Sequence, residues 1–187
     1  AIATAKRLGA IVSATDVRSA SKEQVESLGG KFLTVEGDEN LETKGGYAKE
    51  ASEEFKKKQE ELLGETLKKI DILICTALIP GKKAPLIIKE NMLKNMKPGS
   101  VILDMAAGMA KNGSGNCPLT KANEIIEINS ITIIGKTNLP SMVSADASSL
   151  YARNIFEFIK LLFNEKKELH INNEDELVDG CLMKGEE

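Results

Sequence analysis

The 187 residues contain one histidine, His170, and it lies in a polar stretch near the carboxyl end, away from every segment that reads as a strand. With it goes any cluster of histidine and cysteine at metal-ligand spacing, and no G-x-S-x-G nucleophile elbow replaces it. The three cysteines, Cys75, Cys117 and Cys181, are odd in number, widely spaced and never paired as C-x-x-C. That pattern fits reduced thiols rather than a disulfide frame. No apolar run nears the roughly 20 residues of a membrane-spanning helix, and the longest, Ile72 to Pro80, is strand-sized. Nor is there a basic stripe: 25 Lys and Arg stand against 28 Asp and Glu, a net charge of −3. Nucleic acid is therefore excluded as the main partner. No signal or transit peptide is recognisable and no initiator Met opens the chain, so the cellular address stays open.

What is present is a hydrophobic content of 42%, enough for a real core, and a steady alternation of two patterns. Ile2, Ala5 and Leu8 fall at helical spacing before Gly9, and the stretch Gly9 to Arg18 reads as an apolar strand ending in an acid, Asp16. Ser21-Lys22-Glu23-Gln24 has capping-box spacing and predicts a short helix ending at Gly29-Gly30, followed by a strand over Phe32–Val35. A polar stretch, Glu36 to Gly46, then reads as a loop, and a charged helix follows with a stripe of Ala51, Phe55, Gln59 and Leu62. Asp71 to Ala77 and Val101 to Asp104 read as strands covered on both faces. A helix is expected over Ile88–Met96, a hairpin of Ile125–Ile128 and Ile131–Ile134 around Asn129-Ser130, and a long helix over Ala145–Phe163. The sum is an α/β, Rossmann-like doubly wound parallel sheet.

Asp16 is the most informative residue. An acid ending an apolar strand is how a dinucleotide-binding unit grips the adenosine ribose, and its charge repels a 2′-phosphate, so it suits NAD(H) rather than NADP(H). The bland alternative is a turn residue. The glycine-rich phosphate loop belongs about 20 residues upstream of such an acid, and only fifteen residues precede Asp16. The first strand and its G-x-G-x-x-G loop are thus expected upstream, in a longer protein or another segment.

Thr76, Ala77 and Leu78 open the loop to Pro85 at the strand end where a nicotinamide would lie. Thr76 and Ala77 are small enough for close backbone approach, and Leu78 could pack on the ring; the alternative is a rigid strand-to-helix connection. Gly45-Gly46-Tyr47 before a helix start reads as a lid hinge or an ordinary loop. Asn138, beyond the last strand, could meet a nicotinamide carboxamide. Asp104, a lone acid at a buried strand end, reads as structural. The missing general base is itself informative: oxidising an alcohol or amine needs a proton acceptor, whereas hydride exchange between two nicotinamides needs only close approach of the rings in a dry site.

Taken together, Ala1–Arg18, Glu23–Phe32, Gly45–Glu50, Thr76–Pro85, Lys97–Asp104 and Thr137–Ser148 closely resemble the NAD(H)-binding peripheral domain of the proton-translocating NAD(P) transhydrogenase family, whose relative is alanine dehydrogenase. The resemblance implies an NAD-binding lobe over residues 1–143 and a return helix with an acidic tail, residues 144–187, belonging to the other lobe. It further implies that Asp16, Val17 and Arg18 hold the ribose, that Gly46 and Tyr47 belong to a mobile lid, and that Gln59 and Leu78 touch the cofactor, Leu78 nearest the nicotinamide. A homodimer, an NADP(H)-binding partner domain, a separate membrane domain and a soluble, peripheral position on a membrane enzyme are implied as well. Alanine dehydrogenases carry a catalytic acid four residues after the aspartate ending this strand, where this chain has Gly108, which disfavours amino-acid oxidation. Met109 to Asn116 is a few residues longer than the usual loop of the family. The remaining alternatives are an NAD-dependent amino-acid dehydrogenase and an NAD-binding module without chemistry.

Overall fold

The computed structural model describes residues 1–18, 20–35, 52–79 and 81–183. They form two compact units, Ala1–Thr137 and Asn138–Glu187.

The first unit opens with helix α1 (Ile2–Arg7) and strand β1 (Ser13–Ala14), then α2 (Ser21–Ser27) and β2 (Lys31–Phe32). The strands pair in parallel, Ser13 opposite Lys31 and Ala14 opposite Phe32, the arrangement that a helical crossover allows. Both helices stop where glycine takes a left-handed backbone, Gly9 at φ +86° and Gly29 at φ +76°, as the spacing predicts. Two local expectations are corrected. The capping box does not form: Ala20 is the cap residue without a side-chain bond, and Ser21 already lies in the helix, buried. The cause is that the Ser21 amide donates back to the Arg18 carbonyl, 3.1 Å, which starts the turn one residue earlier. The second strand is Lys31–Phe32 rather than Phe32–Val35, because pairing with a two-residue β1 limits its ladder.

After α3 (Glu53–Leu67), β3 (Ile72–Cys75), α4 (Glu90–Leu93), β4 (Val101–Asp104), β5 (Ile125–Ile128) and β6 (Ile131–Ile134) build a four-stranded sheet in the order β3-β4-β6-β5. The first three strands are parallel, and β5 joins β6 as the predicted antiparallel hairpin. Its turn has Asn129 at φ +53° and Ser130 at φ +60°, the two positive values a primed turn requires. Ile102, Ile133 and Ile131 on the sheet pack with Leu63 and Leu67 of α3 and with Ile88, Met92, Leu93 and Met96. Among the described residues of α3, Leu63 and Leu67 are buried and Leu62 is only half-buried; of the expected stripe, Ala51 and the Phe55 side chain lie outside the described residues. Helix α4 is shorter than Ile88–Met96. The amides of Ile87 and Ile88 both donate to the Asn116 carbonyl at 3.0 Å, which draws that backbone out of the helix, and Pro98 ends the turn beyond it.

The second unit consists of a 3-10 turn (Pro140–Val143), α5 (Ser144–Leu161), close to its predicted span, and α6 (Glu176–Cys181). No residue of α5 is buried. Among the described residues no helix is long and apolar enough to cross a membrane.

Candidate functional site

Asp16 leaves β1 in a turn closed by its own side chain. Oδ1 accepts from the backbone N–H of Arg18 at 2.9 Å and from its Nε at 3.0 Å, and Oδ2 accepts from Nη2 at 2.8 Å. Burial alone would raise the Asp16 carboxyl, but the hydrogen bonds and charge of Arg18, aided by the Ser21 hydroxyl, outweigh it and hold the group below the ordinary carboxylate value. A carboxylate has about four lone-pair positions, and the arginine fills three of them here. The two oxygens expected to grip a ribose diol are thus already engaged by a neighbour in sequence. Val17, between them, is half-buried.

The loop leaving β3 is fixed from outside itself. Asn116, fully buried, accepts from the Ala77 N–H at 3.1 Å and donates Nδ2–H to the carbonyls of Ala77 at 2.9 Å and Pro85 at 2.8 Å. One amide thereby ties both ends of the loop, while Ala84 forms a parallel bridge to Ala110. Thr76 and Leu78 remain exposed beside the tied Ala77, Leu78 at 45%.

Asp104, at the end of β4, holds the segment that carries Asn116. Its carboxylate is fully buried and accepts from the N–H of Ala106 at 3.0 Å, the N–H of Cys117 at 2.9 Å and the hydroxyl of Thr120 at 2.7 Å. Gly115 passes against it so closely that a Cβ there would sit 2.2 Å from Oδ2. The structural reading of Asp104 agrees with this geometry. Asn116 and Gly115 fall in the stretch the sequence left unassigned; the only signal is an asparagine among glycines just before Cys117-Pro118.

Gln59 is half-buried on α3, four residues before Leu63 and on the same face. Asn138 belongs to the second unit, where its Oδ1 accepts from the Ser141 N–H at 3.3 Å and its carbonyl from the Ser141 hydroxyl at 2.8 Å, so both bonds tie it to the start of the 3-10 turn. Gly46 and Tyr47 lie outside the described residues. Among the described residues no group of His, Cys, Asp and Glu could hold a metal ion.

Cys75 ends β3, and burial, with the nearby Asp104 charge and Cys117, pushes its thiol up to about 12; burial raises Cys117 too. Both stay protonated at neutral pH and neither is a nucleophile. Cys181 is exposed. A thiol reagent is expected to modify Cys181 alone in the folded chain and all three cysteines in urea, read by peptide mass; modification of Cys75 without denaturant would contradict this packing.

A strand-end acid on a βαβ unit, beside a parallel sheet with its strand-end loops tied down, defines a Rossmann-like α/β protein of the dinucleotide-binding type. Comparison with known proteins narrows the class. The chain belongs to the family described as alanine dehydrogenase/PNT, C-terminal domain, which it matches over residues 1–186. It is 54% identical over 186 residues to an NAD(P) transhydrogenase subunit alpha polypeptide of Rhodospirillum rubrum, covering 98% of this chain and 47% of that protein. Among solved structures, a transhydrogenase from Sinorhizobium meliloti superposes with a TM-score of 0.71 at 43% identity, over 95% of this chain and 45% of that one. An L-alanine dehydrogenase shares the fold, with a TM-score of 0.62 at 19% identity over 83% of this chain and 38% of that one. The chain thus spans less than half the length of these relatives.

Proposed function

We propose that this chain is the NAD(H)-binding component of a proton-translocating NAD(P) transhydrogenase. Asp16 takes the adenosine ribose, the nicotinamide lies against Ala77 and Leu78 at the carboxyl end of β3, and hydride passes directly to NADP(H) held by a partner domain. Val17, Gln59, Thr76 and Asn138 line the cofactor, with Gly46 and Tyr47 in a lid over it. Proton movement belongs to a separate membrane domain, and the enzyme is a homodimer with this component peripheral to the membrane. Residues 1–143 form the cofactor lobe and residues 144–187 return to the other lobe. The wholly unburied α5, with Leu150 and Tyr151 each 68% exposed, supports a covering element outside this chain.

One observation carries the reading: Asp16 stands just past the end of β1 on a βαβ unit, where a ribose-holding acid belongs, while the acid that ends β4, Asp104, is consumed by three donors and free for no proton transfer. Reactions that lift a proton from oxygen or nitrogen need a positioned acceptor. Exchange of hydride between two C4 carbons needs only proximity, orientation and exclusion of water.

The test is isotopic. In the intact enzyme, NADH deuterated at the transferred C4 position is expected to deliver its label to NADP+ without loss to water. Solvent hydrogen in the NADPH, or alanine-dependent reduction of NAD+ with no NADP present, would overturn the proposal.

A further inference from the structure

We infer that Arg18 acts as a competitor for Asp16 that tunes discrimination between NADH and NADPH, and is not itself a ribose-holding group. The inference rests on the reading of Asp16 as the ribose acceptor given above. Its ground is the geometry of the turn: Nε on Oδ1 and Nη2 on Oδ2 form a two-pronged fork across the carboxylate edge that a vicinal diol would approach. A diol also binds a carboxylate two-pronged, one hydroxyl to each oxygen, so the two modes exclude one another. The third bond, from the Arg18 N–H to Oδ1, runs through the backbone and survives when the guanidinium leaves. The turn therefore keeps Asp16 in place while its side-chain partner is exchanged.

Two consequences follow from charge. Arg18 and Asp16 are 46% and 29% exposed at their side chains, so breaking the fork costs no more than an exposed ion pair is worth. NADH binding is penalised by that small amount. A 2′-phosphate, in contrast, meets a pair whose charges cancel rather than a bare carboxylate, so the rejection of NADPH is weaker than Asp16 alone would give.

The experiment measures NADH and NADPH affinity in the intact enzyme for Arg18→Ala, Arg18→Lys and Asp16→Ala. Arg18→Ala is expected to tighten NADH about two- to fivefold and to weaken NADPH, so that the preference for NADH grows about tenfold. Arg18→Lys, which keeps the charge and loses the fork, falls between the two and shows that the effect is not one of folding. Asp16→Ala is expected to weaken NADH and to favour NADPH, because the carboxylate that repels a 2′-phosphate is then gone. If Arg18→Ala weakens NADH as much as Asp16→Ala does, Arg18 touches the cofactor directly and the inference fails while the ribose reading stands. If Asp16→Ala leaves NADH affinity unchanged, the ribose reading itself fails, and the inference with it.

Discussion

Gly115→Ala is expected to destabilise the Ala1–Thr137 unit by about 4 kcal/mol, more than any surface substitution in it. The added methyl would lie 2.2 Å from Oδ2 and 2.5 Å from both Cγ and Oδ1 of Asp104. A flexible side chain would swing away. Asp104 cannot, because three donors hold it and it has no exposure. Either the carboxylate gives up bonds to Cys117 and Thr120, each worth about 1.5–3 kcal/mol when the acceptor is charged, or the 114–117 backbone moves and takes Asn116 with it. Urea denaturation should show the lower midpoint with an unchanged slope. Asp104→Asn provides the comparison: whichever way the amide faces, its NH2 opposes a donor, and a loss of about 2–3 kcal/mol is expected. A wild-type midpoint for Gly115→Ala would mean that Asp104 is not fixed as described.

The second large effect is expected from Asn116→Ala. The substitution strands the Ala77 N–H and the carbonyls of Ala77 and Pro85, which lose bonds of 3.1, 2.9 and 2.8 Å. Each unsatisfied group costs about 1–3 kcal/mol if water does not reach it, so a net loss of about 3 kcal/mol follows. The functional cost is larger in proportion. The loop that Asn116 ties is the one proposed to carry the nicotinamide, and misplacing a reacting ring by about 1 Å costs about a hundredfold in rate. Hydrogen exchange over residues 76–85 should lose protection, and hydride transfer in the intact enzyme should fall by that order. Asn116→Asp should be no better than alanine, since it keeps the acceptor for Ala77 N–H but sets an oxygen against two carbonyls. Full protection of the loop in Asn116→Ala would remove its assigned role.

Both residues escaped the sequence reading, and Asp16 did not, for reasons that differ in kind. A strand-end acid is marked by local pattern: an apolar run, an acid, then a capped helix. Even its pairing with Arg18 was within local reach, since an aspartate whose side chain accepts from the amide two residues on is an ordinary turn. The capping box failed in the same region because Ser21 had two local uses, and the backbone bond to Arg18 won. Helix α4 failed for a tertiary reason, the pull of the Asn116 carbonyl on Ile87 and Ile88.

Periodicity and turn chemistry by themselves determined the βαβ opening, the parallel strands, the Asn129-Ser130 hairpin and the long helix near residue 144, because side chains that share a sheet or helix face recur at spacings of two or about 3.6 residues; the expected cover on both faces fails at β3, which leaves Ile72 and Ile74 66% and 43% exposed. Only the folded chain decided how the strand-end loops are held. Asn116 reaches Ala77 across 39 residues and Pro85 across 31, and Gly115 is glycine because Asp104, eleven positions earlier, fills the space beside it. Such pairings leave no period in a single sequence. Each partner looks ordinary until the backbone brings the two within hydrogen-bond distance.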